Sequence, residues 1–390
     1  MGNILNIINE DYELLNQDYY FIREYDSTIK NKTIESKLKT LGVDNFNYCT
    51  LKEAISRKDN TYVYFIFKQA KYTFDENTRY FSENLLSALR ENDNIKLVYF
   101  IEDESVEFEN LLLIDEYTKY ENLNQKNVYV YNNNANMDLF LKENNSNLNV
   151  FKSSFLPVTY SNKFANFDVN YNFNRNFLFL IQNKRLKAHR FATLCFLLRS
   201  NIIEKTDWSF LENKRNGNID LNLVNLLIDG NIYNNEINRL LDVDLKKNYH
   251  ESSYNDYSTD LMKLETFEDS YINLVTESHF IESDIHITEK SYKPFYFYQI
   301  PIIIATKGHI KKMKELYGYD FFDDLVDHSY DDIENHKERI TMIFKEIYRL
   351  HKIENDVVNF FKTNQNRFLK NNEITRRLKN INESNFFYNL

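Results

Sequence analysis

The chain is poor in the residues that punctuate or staple a fold. Its 390 residues include only six glycines and three prolines, too few for a sandwich or barrel made of many tight turns. The two cysteines, Cys49 and Cys195, lie far apart and outside any CxxC spacing. That argues against a disulfide scaffold or a structural zinc site and fits a reducing compartment. No apolar run approaches the roughly 18 residues of a membrane span, since FLFLI and PIIIA both stop within a few positions. The start, MGNILNIINEDYELL, lacks a basic region and a long apolar core, so no secretory signal is expected, and Asn6 breaks the match to a myristoylation start. Basic residues are outnumbered: a net charge of −10 disfavours a nucleic-acid coat or an anionic-membrane binder, though it leaves room for a local basic cleft. A soluble, cytoplasmic protein is expected.

The common signatures of enzyme chemistry are missing too. There is no GxGxxG, no GxxxxGK[ST], no HExxH and no GxSxG. The pair Asp242 and Asp244 follows no strand cleanly. Hydride transfer, P-loop hydrolysis and metal-dependent chemistry are therefore not indicated.

What is present has the rhythm of an α/β protein. The length favours two domains. In the first third, strand-like TYVYFIF (61–67), IKLVYFI (95–101) and VYVY (128–131) alternate with amphipathic stretches at 76–92 and around MDLFLKE, and NVFKSSF follows. A β-α-β-α-β order implies a parallel sheet covered by helices, which right-handed crossovers would make Rossmann-like. After Pro157 and a polar stretch at 161–176, the pattern restarts with NFLFLIQ (176–182) and a helix over 187–201. DWSFL (207–211), YINLVT (271–276) and IPIIIA (300–305) read as further strands, and the residues from about 333 as two long helices with a short tail helix. We therefore expect two Rossmann-like domains facing a cleft, with C-terminal helices. The divisions fall at 1–160, a linker over 161–175, a second domain over 176–350 and a tail over 351–390.

Two features stand out. From Val169 to Ile203 the chain has no acidic residue, yet it carries Arg175, Lys184, Arg185, Lys187, Arg190 and Arg199. Lys184 and Arg185 directly follow a strand, where cationic donors can meet a phosphate beside a helix N-terminus. A solvated strand–helix turn with scattered arginines is the plainer alternative. The second feature is YINLVTESHFIESDIHITEKSYKPFYFYQIPIII (271–304), which holds two of the three prolines, Pro294 and Pro301. Five of the eight histidines, His279, His286, His309, His328 and His336, lie in it or just downstream. Glu277 closes a strand at its carboxyl end, where ligands reach α/β domains. Thr288 can cap the next helix, placing Glu289 and Lys290 in its first turn. A carboxylate there can accept ribose hydroxyls and the ammonium can pair with a diphosphate, helped by the helix dipole. Glu289 could instead merely complement the dipole, with Lys290 in water, but that leaves the gathering of four such residues unexplained.

This block resembles the nucleotide-binding motif of GT-B glycosyltransferases of the α-1,3-fucosyltransferase type. The counterparts are Thr276-Glu277-Ser278, Ile287-Thr288-Glu289-Lys290 and Ile300-Pro301-Ile302-Ile303. GHIKKMKELYGYDFFDDLVDHSYDDIENHKERI resembles uncharacterised virus- and phage-encoded relatives of such transferases, and NFLFLIQNKRLKAHRFATLCFLL resembles their strand, basic turn and Arg-bearing helix. The similarity covers roughly 175–345, about half the chain. Bulky Tyr298-Gln299 replaces the family's small-residue turn, and Ser278 or His279 stands where it has Asn.

The resemblance implies a metal-independent transfer of a sugar from a nucleotide-sugar to an acceptor hydroxyl, with no other cofactor. Glu289 would bind the donor ribose, Lys290 the diphosphate, and Lys184, Arg185 or Arg190 would add positive charge, with Thr288 at the donor site and Glu277 near the sugar. Departure of the nucleoside diphosphate without a metal needs such fixed cations. The general base is unassigned: a carboxylate or histidine would serve, and Glu102, Asp103 and Glu104 follow a strand but equally suit an acidic surface loop. Two alternatives remain, a transferase acting on the DNA bases of a viral genome, which the net charge disfavours, and a non-catalytic nucleotide-sugar-binding or structural protein.

Overall fold

The computed structural model describes residues 4–8, 35–58, 60–68, 81–101, 108–153, 155–164, 169–183, 187–210, 219–242 and 264–390. Its chain divides into two compact units, Met1–Thr159 with Asn380–Leu390, and Tyr160–Lys379.

The first unit is built on six parallel strands: β1 (Leu5–Ile8), β2 (Phe46–Cys49), β3 (Tyr62–Lys68), β4 (Ile95–Ile101), β5 (Val128–Asn132) and β6 (Asn149–Lys152), in the order β2-β1-β3-β4-β5-β6. Alternation assigns the faces. Tyr62, Tyr64, Leu97, Tyr99, Val128 and Val130 enter one core. The helices α1 (Leu51–Ser56), α2 (Glu83–Glu91), α3 (Phe108–Tyr120) and α4 (Met137–Glu143) contribute Leu51, Leu85, Ile114 and Phe140 to it. Val63, Phe65, Val98, Phe100 and Tyr131 enter a second core with Leu38 and with Phe387 of the C-terminal helix Ser384–Tyr388. Burial on both faces is why these strands read as continuous apolar runs rather than as polar–apolar alternation.

The division between units falls within α5 (Phe155–Phe164), whose Pro157 lies in the first turn, where a missing N–H breaks no helical bond. The second unit holds β7 (Phe177–Asn183), α6 (Ala188–Arg199), β8 (Thr206–Phe210), α7 (Leu221–Leu227), α8 (Asn234–Asp242), α9 (Leu264–Glu268), β9 (Ser270–Thr276), α10 (Glu289–Tyr296), β10 (Ile300–Ile304) and α11 (His309–Tyr317). Its four strands are parallel in the order β10-β9-β7-β8. Every residue of β9 and β10 is buried. Pro301 is tolerated inside β10 because, among the described residues, that strand is an edge of the sheet.

Both sheets share one winding rule. The first strand of each unit lies between the second and the third, β1 between β2 and β3, β7 between β8 and β9. The chain thus reverses direction at β1/β3 and at β7/β9, and ligands of open α/β sheets bind outside the carboxyl ends of the strands at such reversals.

One sequence expectation shifts in detail. Ahead of the C-terminal helix the chain forms α12 (His336–Lys352), α13 (Glu354–Thr363) and α14 (Gln365–Arg377) rather than two long helices, interrupted at Ile353 and Asn364. At the second break the Asn364 side chain donates to the Phe360 carbonyl at 2.9 Å, a local bond that competes with helix continuation. Within the polar 161–176 stretch, Tyr171 stacks on Phe361 at 4.6 Å and bonds its carbonyl at 2.5 Å. Among the described residues no helix is long and apolar enough to cross a membrane.

Candidate functional site

Glu277 follows β9 directly and has no exposed surface. Its backbone N–H continues the ladder to Ile304 at 3.1 Å, so the side chain is carried to the carboxyl end of the sheet. There it gathers the start of α10. Thr288 donates its backbone N–H to Oε1 at 3.2 Å and its hydroxyl to Oε2 at 2.7 Å. Ser291 donates its hydroxyl to Oε1 at 2.5 Å, and the Ser278 N–H reaches Oε2 at 3.2 Å. Burial would raise this carboxyl, but Lys290, His309, Ser291 and Thr288 prevail and hold it at about 2.

A carboxylate can only accept, so the donors set the rest of the network. Ser291 gives its proton to Glu277 and must accept from His309, whose Nε2 lies 3.0 Å from the Ser291 hydroxyl. His309 is buried and held down to about 4 mainly by that burial, which makes it a neutral Nε2–H donor. The order His309 to Ser291 to Glu277 is opposite in polarity to a nucleophilic serine triad, in which histidine takes the serine proton.

Lys290 stands at the outer side of this hub. Its Nζ bonds the Thr288 hydroxyl at 3.1 Å and the Ser278 hydroxyl at 3.3 Å, and lies 3.9 Å from both Glu277 Oε2 and Glu289 Oε1. Its side chain is 22 % exposed, enough to meet a ligand. Thr288 is the extended N-cap of α10 and also accepts from the Lys290 N–H at 3.3 Å. Glu289 occupies the first helical turn, and its Oε2 is buried without a hydrogen-bond partner among the described residues. Asn183 Nδ2, at the carboxyl end of β7, and the Thr306 hydroxyl, just past β10, share that condition.

The β7 side of the reversal meets the β9 side at the backbone of 276–278. His189 Nε2 donates to the Glu277 carbonyl at 2.9 Å, and Arg190 reaches the carbonyls of Thr276 at 3.3 Å and Glu277 at 3.1 Å. Lys187 bonds the Ser278 carbonyl. Two lysines from different elements, Lys187 and Lys290, thus converge on Ser278.

The segment after Ser278 is tied down at several points. The Glu282 carboxylate accepts the N–H groups of Phe280 and Ile281 at 2.8 and 2.9 Å. Phe280 stacks on His189 at 5.4 Å, and the Arg339 guanidinium lies 4.6 Å from the Phe280 ring and bonds its carbonyl. His279 donates Nδ1–H to Asp284 at 2.8 Å, with both side chains nearly inaccessible. Behind α10, the Gly308 turn and the Ser329-Tyr330-Asp331 element meet: Asp331 accepts the Ile310 and Lys311 N–H groups at 3.1 and 2.9 Å, capping α11. Gly308 needs its left-handed φ of 78° at that turn.

Several sequence-derived assignments change here. Glu277 was expected near the transferred sugar; its oxygens are instead filled by protein donors, which makes it an organiser of the mouth. Arg190 was expected to add charge on the diphosphate, but it is 3 % exposed and bonds two strand-end carbonyls. Lys184 and Arg185, like Glu102, Asp103 and Glu104, lie outside the described residues. Arg175 of the basic island is at the opposite end of the sheet, bonding the carbonyls of Asn172, Phe267, Ser270 and Phe297. Arg199 pairs with Glu236 at 3.6 Å. Thr288 caps α10 and Glu289 and Lys290 lie in its first turn, as the cap signal predicts. Sequence reasoning passed over Lys187 within the basic island and His309 among the histidines, and Arg339 carried no local signal.

No protein-family model matches the chain, and no curated protein matches its sequence.

Proposed function

We infer that the mouth between β7, β9 and α10 binds the nucleoside diphosphate of a nucleotide-sugar, and that the protein is a glycosyltransferase of the GT-B kind that moves the sugar to an acceptor hydroxyl. The observation that carries this reading is the pairing of Glu289, with an unpartnered buried oxygen, and half-buried Lys290 at the topological reversal of a parallel sheet. A carboxylate in that position can accept the two ribose hydroxyls. The Lys290 ammonium, with Lys187 nearby, can neutralise the diphosphate and stabilise the charge it gains as the glycosidic bond breaks. The shared winding of the two sheets suits a pair of Rossmann-like domains, with the donor site in the second.

In this reading Thr288 is an orienting residue: its hydroxyl joins Glu277 to Lys290. The test is a thermal-shift series with UDP, GDP, ADP and CDP and their sugar conjugates. A ligand at 100 times its dissociation constant adds about 2.7 kcal/mol of stability. One base should shift the wild type, and Lys290→Ala should weaken that binding about tenfold or more. Flat melting curves with all four bases, or a shift that Lys290→Ala leaves unchanged, would remove the donor-site assignment.

A further inference from the structure

We propose that His279, oriented by Asp284, is the general base that takes the proton from the acceptor hydroxyl. The inference rests on the donor-site reading and supplies what that reading leaves open.

The geometry is that of a positioned base. Asp284 fixes one side of the ring by accepting at 2.8 Å from Nδ1, which leaves Nε2 as the proton acceptor. Among the described residues nothing hydrogen-bonds Nε2 of His279. The loop around the ring is tied down: the Glu282 carboxylate accepts the two following N–H groups, and Arg339 and His189 both pack on Phe280. Such support from surrounding side chains is what keeps a reacting group in register. His279 also directly follows Ser278, where Lys187 and Lys290 converge, so the base adjoins the groups assigned to the leaving diphosphate.

The charges facing the ring agree with the role. Burial disfavours the imidazolium, but Asp284 and then Glu282 outweigh it and raise the ring above its ordinary value, against the opposing Lys187. The other imidazoles around it are His286, with ring centres 5.6 Å apart, and His189 and His309, both held neutral chiefly by burial. In the step itself the acceptor oxygen forms a bond to the anomeric carbon as the bond from that carbon to the diphosphate oxygen breaks. The acceptor proton passes to Nε2, the nucleoside diphosphate leaves with the electron pair, and Asp284 balances the imidazolium until solvent removes the proton.

Nucleotide binding and donor hydrolysis, in which water serves as the acceptor, are measured from pH 5 to 9 with UDP-glucose, UDP-N-acetylglucosamine, GDP-mannose and GDP-fucose. His279→Gln is expected to stay folded and keep nucleotide binding while lowering kcat about 100- to 10,000-fold with KM unchanged. Asp284→Asn, which removes the charge that favours the imidazolium, should move the acidic limb of the pH–kcat profile to lower pH. NMR titration of the His279 ring in both proteins should show the same displacement. The proposal is overturned if folded His279→Gln turns over within twofold of wild type, or if the acidic limb ignores Asp284→Asn. Wild-type protein that binds the nucleotide but hydrolyses none of the four donors overturns it as well, leaving the donor site standing. Absence of nucleotide binding by the wild type instead removes the donor site itself.

Discussion

Thr288 holds Glu277 from two sides at once, its backbone N–H on one carboxylate oxygen at 3.2 Å and its hydroxyl on the other at 2.7 Å. That pair of hydrogen bonds fixes the first turn of α10 against the end of β9, and with it the direction of Glu289 and Lys290. Replacing Glu277 by Gln keeps the shape but sets an amide NH2 against groups that all donate. We expect a loss of about 2–4 kcal/mol in unfolding free energy, read from urea denaturation, together with weaker nucleotide binding. A variant as stable as wild type would show that the network is not what holds the mouth.

Acid should unfold the second unit in two stages whose signs follow from the same network. His309 has an ordinary value of 6.5 and is held at about 4 when folded. Between these values the unfolded chain binds a proton that the native chain does not, so stability falls as pH falls through that window. Glu277 is lowered from 4.5 to about 2, and its contribution, complete above 4.5, is lost as pH drops toward 2. His279 acts oppositely: its raised value stabilises at pH below 6.5, and that stabilisation is lost as pH rises through the folded value. His309→Gln keeps a donor for Ser291 and removes the titration, so the slope of the urea midpoint between pH 6.5 and 4 should flatten. An unchanged slope would assign the acid loss to other groups.

Arg175 should behave as a framework residue although it belongs to the basic island. The residue is 8 % exposed, and its guanidinium bonds four carbonyls around the amino ends of β7, β9 and β10 and lies 4.5 Å from the Phe361 ring. A lysine cannot reproduce the planar fork. Arg175→Lys is expected to destabilise by about 3 kcal/mol or more, since it leaves buried carbonyls unpaired. If stability is retained and nucleotide affinity lost, Arg175 belongs to the ligand site after all.

The strands and the mouth of the second unit were legible in the sequence because each rests on a local pattern. IKLVYFI is β4 residue for residue, and Thr288, Glu289 and Lys290 follow from a cap signal before a short helix. What was not legible depends on residues distant in sequence. Nothing near Arg190 announces that its partners are carbonyls some 86 and 87 positions away, so a buried clamp and a phosphate-binding arginine look alike in one dimension. Glu277 was misplaced for the same reason, since only folding reveals that its oxygens are already occupied. Tyr298 shows the reverse case. The bulky residue where a small one was expected takes a left-handed φ of 56°, and its ring packs on Tyr171 at 5.2 Å, so tertiary contacts sustain a turn that local preference disfavours.

Glu289 offers the sharpest test of the ligand assignment because its expected partner can be removed from either side. If its carboxylate accepts ribose hydroxyls, the wild type should bind the ribonucleoside diphosphate about 10- to 100-fold more tightly than the 2′,3′-dideoxy analogue, the range for hydrogen bonds to a charged group. Glu289→Gln should weaken the ribonucleotide while leaving the dideoxy analogue nearly unchanged, so that the preference shrinks in the variant. Titration calorimetry of both proteins with both ligands closes the cycle and isolates the carboxylate–hydroxyl interaction from changes in folding. A preference that survives Glu289→Gln undiminished would place the ribose elsewhere, even if Lys290 still binds the diphosphate.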